Sequence, residues 1–190
     1  MTLSLEPNLG LRRPLKKCVQ AIDTDYVLFL EHDWELQQFI DISSIIHTFD
    51  KYPNINYIRL NQGKRESRNN RLYVETNKSE IPLTKTTTFS NRPYFARRDA
   101  LENWLTFARF DQYLLKTYKD TKTIHSPGRI INLFQNPQRL ENVEWTISRY
   151  AYCRILYEGF HSAHNDLGFY IYGNLDDEAQ VRHIDEIGGY

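Results

Sequence analysis

No apolar run in this sequence approaches the roughly 20 residues that a membrane-crossing helix needs, so no transmembrane segment is expected. The opening residues MTLSLEPNLG have neither the charged nor the apolar region of a signal peptide. Cysteine is scarce. The two present, Cys18 and Cys153, fall on helix-like patterns far apart in sequence, which argues against a disulfide framework and for buried reduced thiols. Together these absences lead to the expectation of a cytoplasmic protein. Net charge is missing too: 24 basic side chains balance 24 acidic ones, so no global field draws the chain to nucleic acid or anionic lipid. Any anion site must then be local, and nucleic acid is not an expected partner. What the sequence does hold is ordinary for a globular protein, apart from a high aromatic share of 14%, which suits sugar surfaces and core packing alike. At 190 residues, a single domain spanning 1–190 is expected.

The chain is organised around YVLFLEHDWE, residues 26–35. The β-favouring run Tyr26 to Leu30 is too short for a membrane span and stops abruptly at Glu31-His32-Asp33, which predicts a buried strand delivering acids at its end. In open α/β sheets, ligands collect beyond the carboxyl ends of parallel strands. Read as a continued strand, residues two apart point the same way, so Glu31 and Asp33 are expected to share a face and reach one hard cation, Mg²⁺ or Mn²⁺. Before this run, Thr2 to Glu6 reads as a short strand, followed by turn residues and a helix on which Leu11, Leu15, Cys18 and Ile22 repeat at helical spacing. That makes a βαβ unit in which Arg12 or Arg13, near the helix N-terminus, is placed to meet a phosphate.

After the acids, Ile42, Ile45, Ile46 and Phe49 predict a helix, and Ile55 to Leu60 a strand. Residues 61–70 read as a polar, exposed loop, and residues 72–88 as a hairpin turning near 77–80 over the edge of the sheet. The segment from Phe89 to Asp99 brackets apolar residues with three arginines and leads into a helix carrying Leu101, Trp104 and Leu105; Arg97 and Arg98 serve either to hold phosphates or to pair with nearby acids. A long helix is expected from about Leu140 to Gly159, with Glu141 and Glu144 three apart on one side near its start. Phe169 to Gly173 reads as a strand, and the tail carries Arg182-His183-Ile184-Asp185. His183 is the chosen histidine to complete a metal shell with the acids, ahead of His161 and His164.

Taken in order, these stretches resemble the nucleotide-sugar glycosyltransferases of the GT-A fold, particularly the large inverting family 2. Asn8-Leu9-Gly10 and its basic helix are similar to the loop and helix before that family's central strand, and Tyr26 to Asp33 to that strand with its DXD motif, here Glu31-His32-Asp33. Phe89 to Asp99 resembles the wall between donor and acceptor; Leu140 to Glu144 resembles the helix start presenting the catalytic carboxylate; Tyr170 to Asp185 resembles the tail that returns a histidine to the metal. The resemblance implies an α/β domain with a GT-A (Rossmann-like) mixed sheet flanked by helices, truncated at the N-terminus because the family's first two strands have no counterpart here.

It further implies transfer of a sugar from a nucleotide-sugar donor to a carbohydrate or other hydroxyl acceptor, with Mn²⁺ or Mg²⁺ as cofactor. Asp33, Glu31 and His183 would hold the metal, Glu31, Arg12, Arg13 and Arg97 the nucleotide, and Glu141, with Glu144 as the alternative, would be the base. Two other functions fit the same residues: a carbohydrate-binding or scaffold domain without catalysis, and a metal-dependent phosphoesterase using Glu31, Asp33 and His183.

Overall fold

The computed structural model describes residues 12–63, 74–76, 79–86, 88–106, 143–174 and 177–184. In chain order the elements are α1 (Arg12–Ala21), β1 (Tyr26–Phe29), β2 (Trp34–Leu36), α2 (Ile42–Lys51), β3 (Tyr57–Arg59), β4 (Val74–Thr76), β5 (Leu83–Lys85), β6 (Tyr94–Arg97), α3 (Arg98–Thr106), α4 (Val143–Glu158), α5 (Phe160–Leu167), β7 (Phe169–Tyr172) and β8 (Val181–His183). Six strands form one mixed sheet in the order β1-β6-β3-β7-β5-β4, and β2 and β8 form a separate two-stranded ribbon. The molecule is thus an α/β protein with a mixed sheet flanked by helices. The expected hairpin is present, Val74 pairing with Lys85 at the sheet's far edge. The strand expected at residues 2–6 lies outside the described residues, as does Glu141.

Alternation along the strands decides which residues meet which helices. Tyr57, Tyr94, Ala96 and Phe169 face one cluster, filled by Leu15 and Val19 of α1, Leu101 and Trp104 of α3, Val143, Ile147 and Ala151 of α4, and Ala163 and Leu167 of α5. Their neighbours Ile58, Phe95 and Tyr170 face the other, filled by Ile45 and Phe49 of α2. The first cluster is aromatic at its centre: the Tyr57 ring lies 4.9 Å from Phe89, 5.0 Å from Tyr94 and 5.4 Å from Phe169. Burial of this kind supplies most of a domain's folding drive.

Local chemistry sets the element ends. Asp41 caps α2, its carboxylate accepting from Ser44 N at 3.1 Å and Ser44 Oγ at 2.7 Å, and the helix stops before Pro53. Gly168 ends α5 in the left-handed region at φ 59°, where an added Cβ would run into the Asn54 carbonyl; its own carbonyl accepts from Asn56 N and Tyr57 N, tying β7 to β3.

Two expectations differ from the structure. β1 is not buried: among the described strands it lies at the end of the order, with Leu28 47% exposed and Leu30, just past its end, 48% exposed. An apolar run marks a strand but does not say whether a neighbour covers each side. And β1 ends at Phe29, after which Glu31 to Trp34 form a turn, Trp34 N donating to Glu31 O at 3.3 Å. The period-2 argument for Glu31 and Asp33 therefore lapses, because alternation holds only while the chain stays extended.

Candidate functional site

Three strand ends meet at one edge of the sheet: the carboxyl ends of β1 and β3, which run in the same direction, and the start of β6, which runs between them in the opposite one. The acid turn at Glu31 to Asp33 follows β1 at this edge. The polypeptide then enters β2, whose ladder to β8 pairs Trp34 with His183, Glu35 with Arg182 and Leu36 with Val181. One more bond, from Ile184 N to Asp33 O at 2.8 Å, extends the ladder past the turn. This register seats His183 beside Asp33, with Nε2 3.0 Å from Oδ2. Trp34 is the strut between them and Glu31: its ring stands edge-on to His183 at 5.1 Å, and its side chain hydrogen-bonds the Glu31 carboxylate.

Electrostatics identifies what else faces the turn. The Glu31 carboxyl is held above its ordinary range, first by partial burial, then by the charge of Asp33, with a further push from Glu144. The same Glu144 raises the Tyr57 phenol, already raised chiefly by burial, while Arg59 and Arg92 pull it down. Glu144 thus belongs to this edge. It sits in the first turn of α4, one turn before Ser148, whose hydroxyl donates to Phe89 O at 2.8 Å and pins the helix start above the segment leading into β6. Tyr57 is locked in the same place, donating to Ser90 O at 2.7 Å and accepting from Ser90 N at 3.0 Å.

A hard divalent cation fits this edge in part. Asp33 Oδ1 is buried without a hydrogen-bond partner among the described residues, and a carboxyl pushed up by neighbouring carboxylates is one that a cation would relieve. Yet among the described residues no three His, Cys, Asp or Glu side chains stand together as a ligand set. Asp33 and His183 form a pair, and a cation held there would draw its remaining ligands from the oxygens of a bound substrate or water.

The other expected residues divide. Arg97 is not at this edge and is corrected as a nucleotide contact: it pairs with Tyr26, at the start of β1, and its guanidinium donates to the carbonyls of Phe49, Tyr52 and Ile55, closing the end of α2. Arg98 likewise donates to Ile22 O at 3.2 Å. Because β6 is antiparallel, the arginine before the strand reaches the acid edge and the one after it does not. Arg92, passed over in the sequence, is at this edge, its charge reaching Tyr57 together with that of Arg59. No local signal in the sequence marks it, because the direction of β6 is set by its pairing with β1 and β3. Arg13 is exposed on the first turn of α1. The side chain of Arg12 and all of Glu141 lie outside what is described.

Of the competing histidines, His164 is a core residue, 2% exposed, with Nε2 2.9 Å from Phe169 O and its pKa pushed down to about 4 by burial. His161 is exposed on α5. No family model, curated protein or solved structure matches the chain.

Proposed function

We propose that this chain is a GT-A-type, nucleotide-sugar-dependent glycosyltransferase domain acting in the cytoplasm, transferring a sugar with inversion to a hydroxyl acceptor. The observation that carries the reading is the pairing of His183 with Asp33 across the β2–β8 ribbon, since the tail histidine and the acid turn are 150 residues apart and meet at the carboxyl edge of the sheet. The mixed sheet with its acid turn beyond β1 also supports it. Asp33 and His183 would hold Mn²⁺ or Mg²⁺, whose charge neutralises a diphosphate leaving group. Arg92 stands on the same edge to meet phosphate oxygens, and Glu31 is held by Trp34 where a ribose or phosphate would pass.

Glu144 is the proposed base. Direct displacement at the anomeric carbon needs a carboxylate that takes the acceptor's proton as the new bond forms. Glu144 supplies one whose charge reaches the acid turn, at a helix start anchored by Ser148. Glu141 is the competing candidate. Incubating the protein with Mn²⁺, a panel of nucleotide sugars and a panel of sugar acceptors tests the reading by product analysis. New glycosidic product, lost in Asp33→Asn, supports it; sugar phosphate released without any need for acceptor would instead favour a phosphoesterase.

A further inference from the structure

A concavity lies beyond the other end of the β2–β8 ribbon, where Leu36 pairs with Val181. It has a volume of about 440 Å³ and is lined by Gln37, Gln38, Gln62, Glu178 and Arg182 among others. That volume falls in the range of about 300–1,000 Å³ usual for small-molecule sites.

Its walls come from three segments of chain, and two buried amide side chains fix them to one another. Gln180, 6% exposed, accepts from Asn61 N through Oε1 at 2.9 Å. Asn61, fully buried, accepts from Gly63 N at 2.7 Å and donates to Asn174 O at 2.7 Å. Backbone bonds from Gln37 N to Gln180 O at 2.8 Å and from Gln180 N to Asn61 O at 2.9 Å complete the web. Buried amides bonded in this way are costly to disturb and hold a surface to one shape.

The lining chemistry narrows the ligand. Arg182 is the only cation among the described lining residues, and Glu35 holds it at 2.9 Å, so an anion meeting it finds its charge already matched. The Glu35 carboxyl is kept below its ordinary range by Arg182 and then by Gln37, which ties that glutamine into the same chain of bonds. None of the described residues lining the pocket is aromatic, so among them there is no platform for a flat base. What remains is amide groups, each both donor and acceptor, beside the Glu178 carboxylate. Adjacent hydroxyls on a neutral sugar ring satisfy such groups, each hydroxyl donating once and accepting once.

We infer that this pocket binds a neutral carbohydrate. Arg182 precedes His183, so the pocket lies within a few residues of the Asp33–His183 pair along one rigid ribbon. If the transferase reading holds, and only then, the occupant is part of the acceptor chain, extending away from the sugar that is modified.

The test is binding to the whole protein in EDTA without nucleotide, so that it does not depend on the acid turn. Maltotriose, cellotriose, chitotriose and trigalacturonate are titrated while backbone amide resonances are followed. At least one neutral trisaccharide should shift the resonances of residues 37–38, 62 and 178–182, with trigalacturonate at least tenfold weaker. Gln62→Ala and Glu178→Gln, both at solvent-reachable positions, should each weaken binding about tenfold, and Asp33→Asn should leave it unchanged. No shift with any neutral trisaccharide, preference for trigalacturonate, or binding indifferent to both pocket substitutions overturns the inference. Metal and nucleotide binding that survives such a failure leaves the transferase reading standing.

Discussion

The two ends of β6 differ more than any other pair of regions in the molecule. At its Arg97 end most polar groups are closed off: Arg97 is shared among three backbone carbonyls, Arg98 bonds Ile22 O while its Nε is buried without a partner among the described residues, and His164 sits neutral against Phe169 O. At its Tyr94 end they are left open. Asp33 Oδ1 and the Tyr94 hydroxyl are buried without partners among the described residues, and Glu31 and Asp33 repel one another with Glu144 adding to the strain. Partnerless buried atoms occur at both ends, and what sets the Tyr94 end apart is its crowded carboxylates, whose mutual repulsion a bound cation would relieve.

The comparison breaks most sharply at Glu144. Glu144→Gln should lower turnover by about 10²- to 10⁴-fold while metal and nucleotide affinities stay near wild type, and Glu141→Gln should be far milder. Initial-rate and calorimetric measurements on both variants decide it; the reverse ranking would make Glu141 the base. At the closed end, Arg97→Ala should cost about 3 kcal/mol in a denaturant unfolding experiment, because three carbonyls lose a charged donor, with no change in metal affinity.

The closed end also titrates in a definite direction. With the folded pKa of His164 lowered to about 4 from 6.5, its contribution is fully present above the unfolded pKa and is lost as pH falls from 6.5 through 4. The loss is ~3 kcal/mol on that shift, and His164→Gln should flatten the corresponding slope of stability against pH. Smallest is Glu31. Its raised pKa means the fold favours the protonated form, so its unfavourable contribution is absent at low pH and grows as pH rises through the folded value. Glu31→Gln should therefore stabilise the metal-free protein at neutral pH by less than about 1 kcal/mol after solvent screening, and the gain should vanish on acidification.

Periodic stretches were legible in the sequence and the ends of elements were not. Of the Leu11, Leu15, Cys18 and Ile22 pattern, Leu15 lies on the inner side of α1 beside Val19, which the pattern left out, while Ile45 and Phe49 marked the inner side of α2 and the 72–88 hairpin was readable from its turn residues. His183 was picked because a strand and glycine turn precede it, and the β2–β8 register brings it to Asp33. Arg97 misled because strand direction is a property of the whole sheet, and nothing local marks β6 as antiparallel. The exposure of β1 escaped for a related reason: Leu28 and Leu30 look like core residues, and only the strand order tells that β1 lies at an edge among the described strands.

The most direct test of the open end is a calorimetric titration of the protein with Mn²⁺, alone and with each of several nucleoside diphosphates, in wild type, Asp33→Asn and His183→Ala. Mn²⁺ should bind, one diphosphate should tighten that binding at least tenfold, and both substitutions should weaken it by about the same factor, since the two side chains act as a pair. Equal Mn²⁺ affinity in all three proteins, with or without nucleotide, would contradict it.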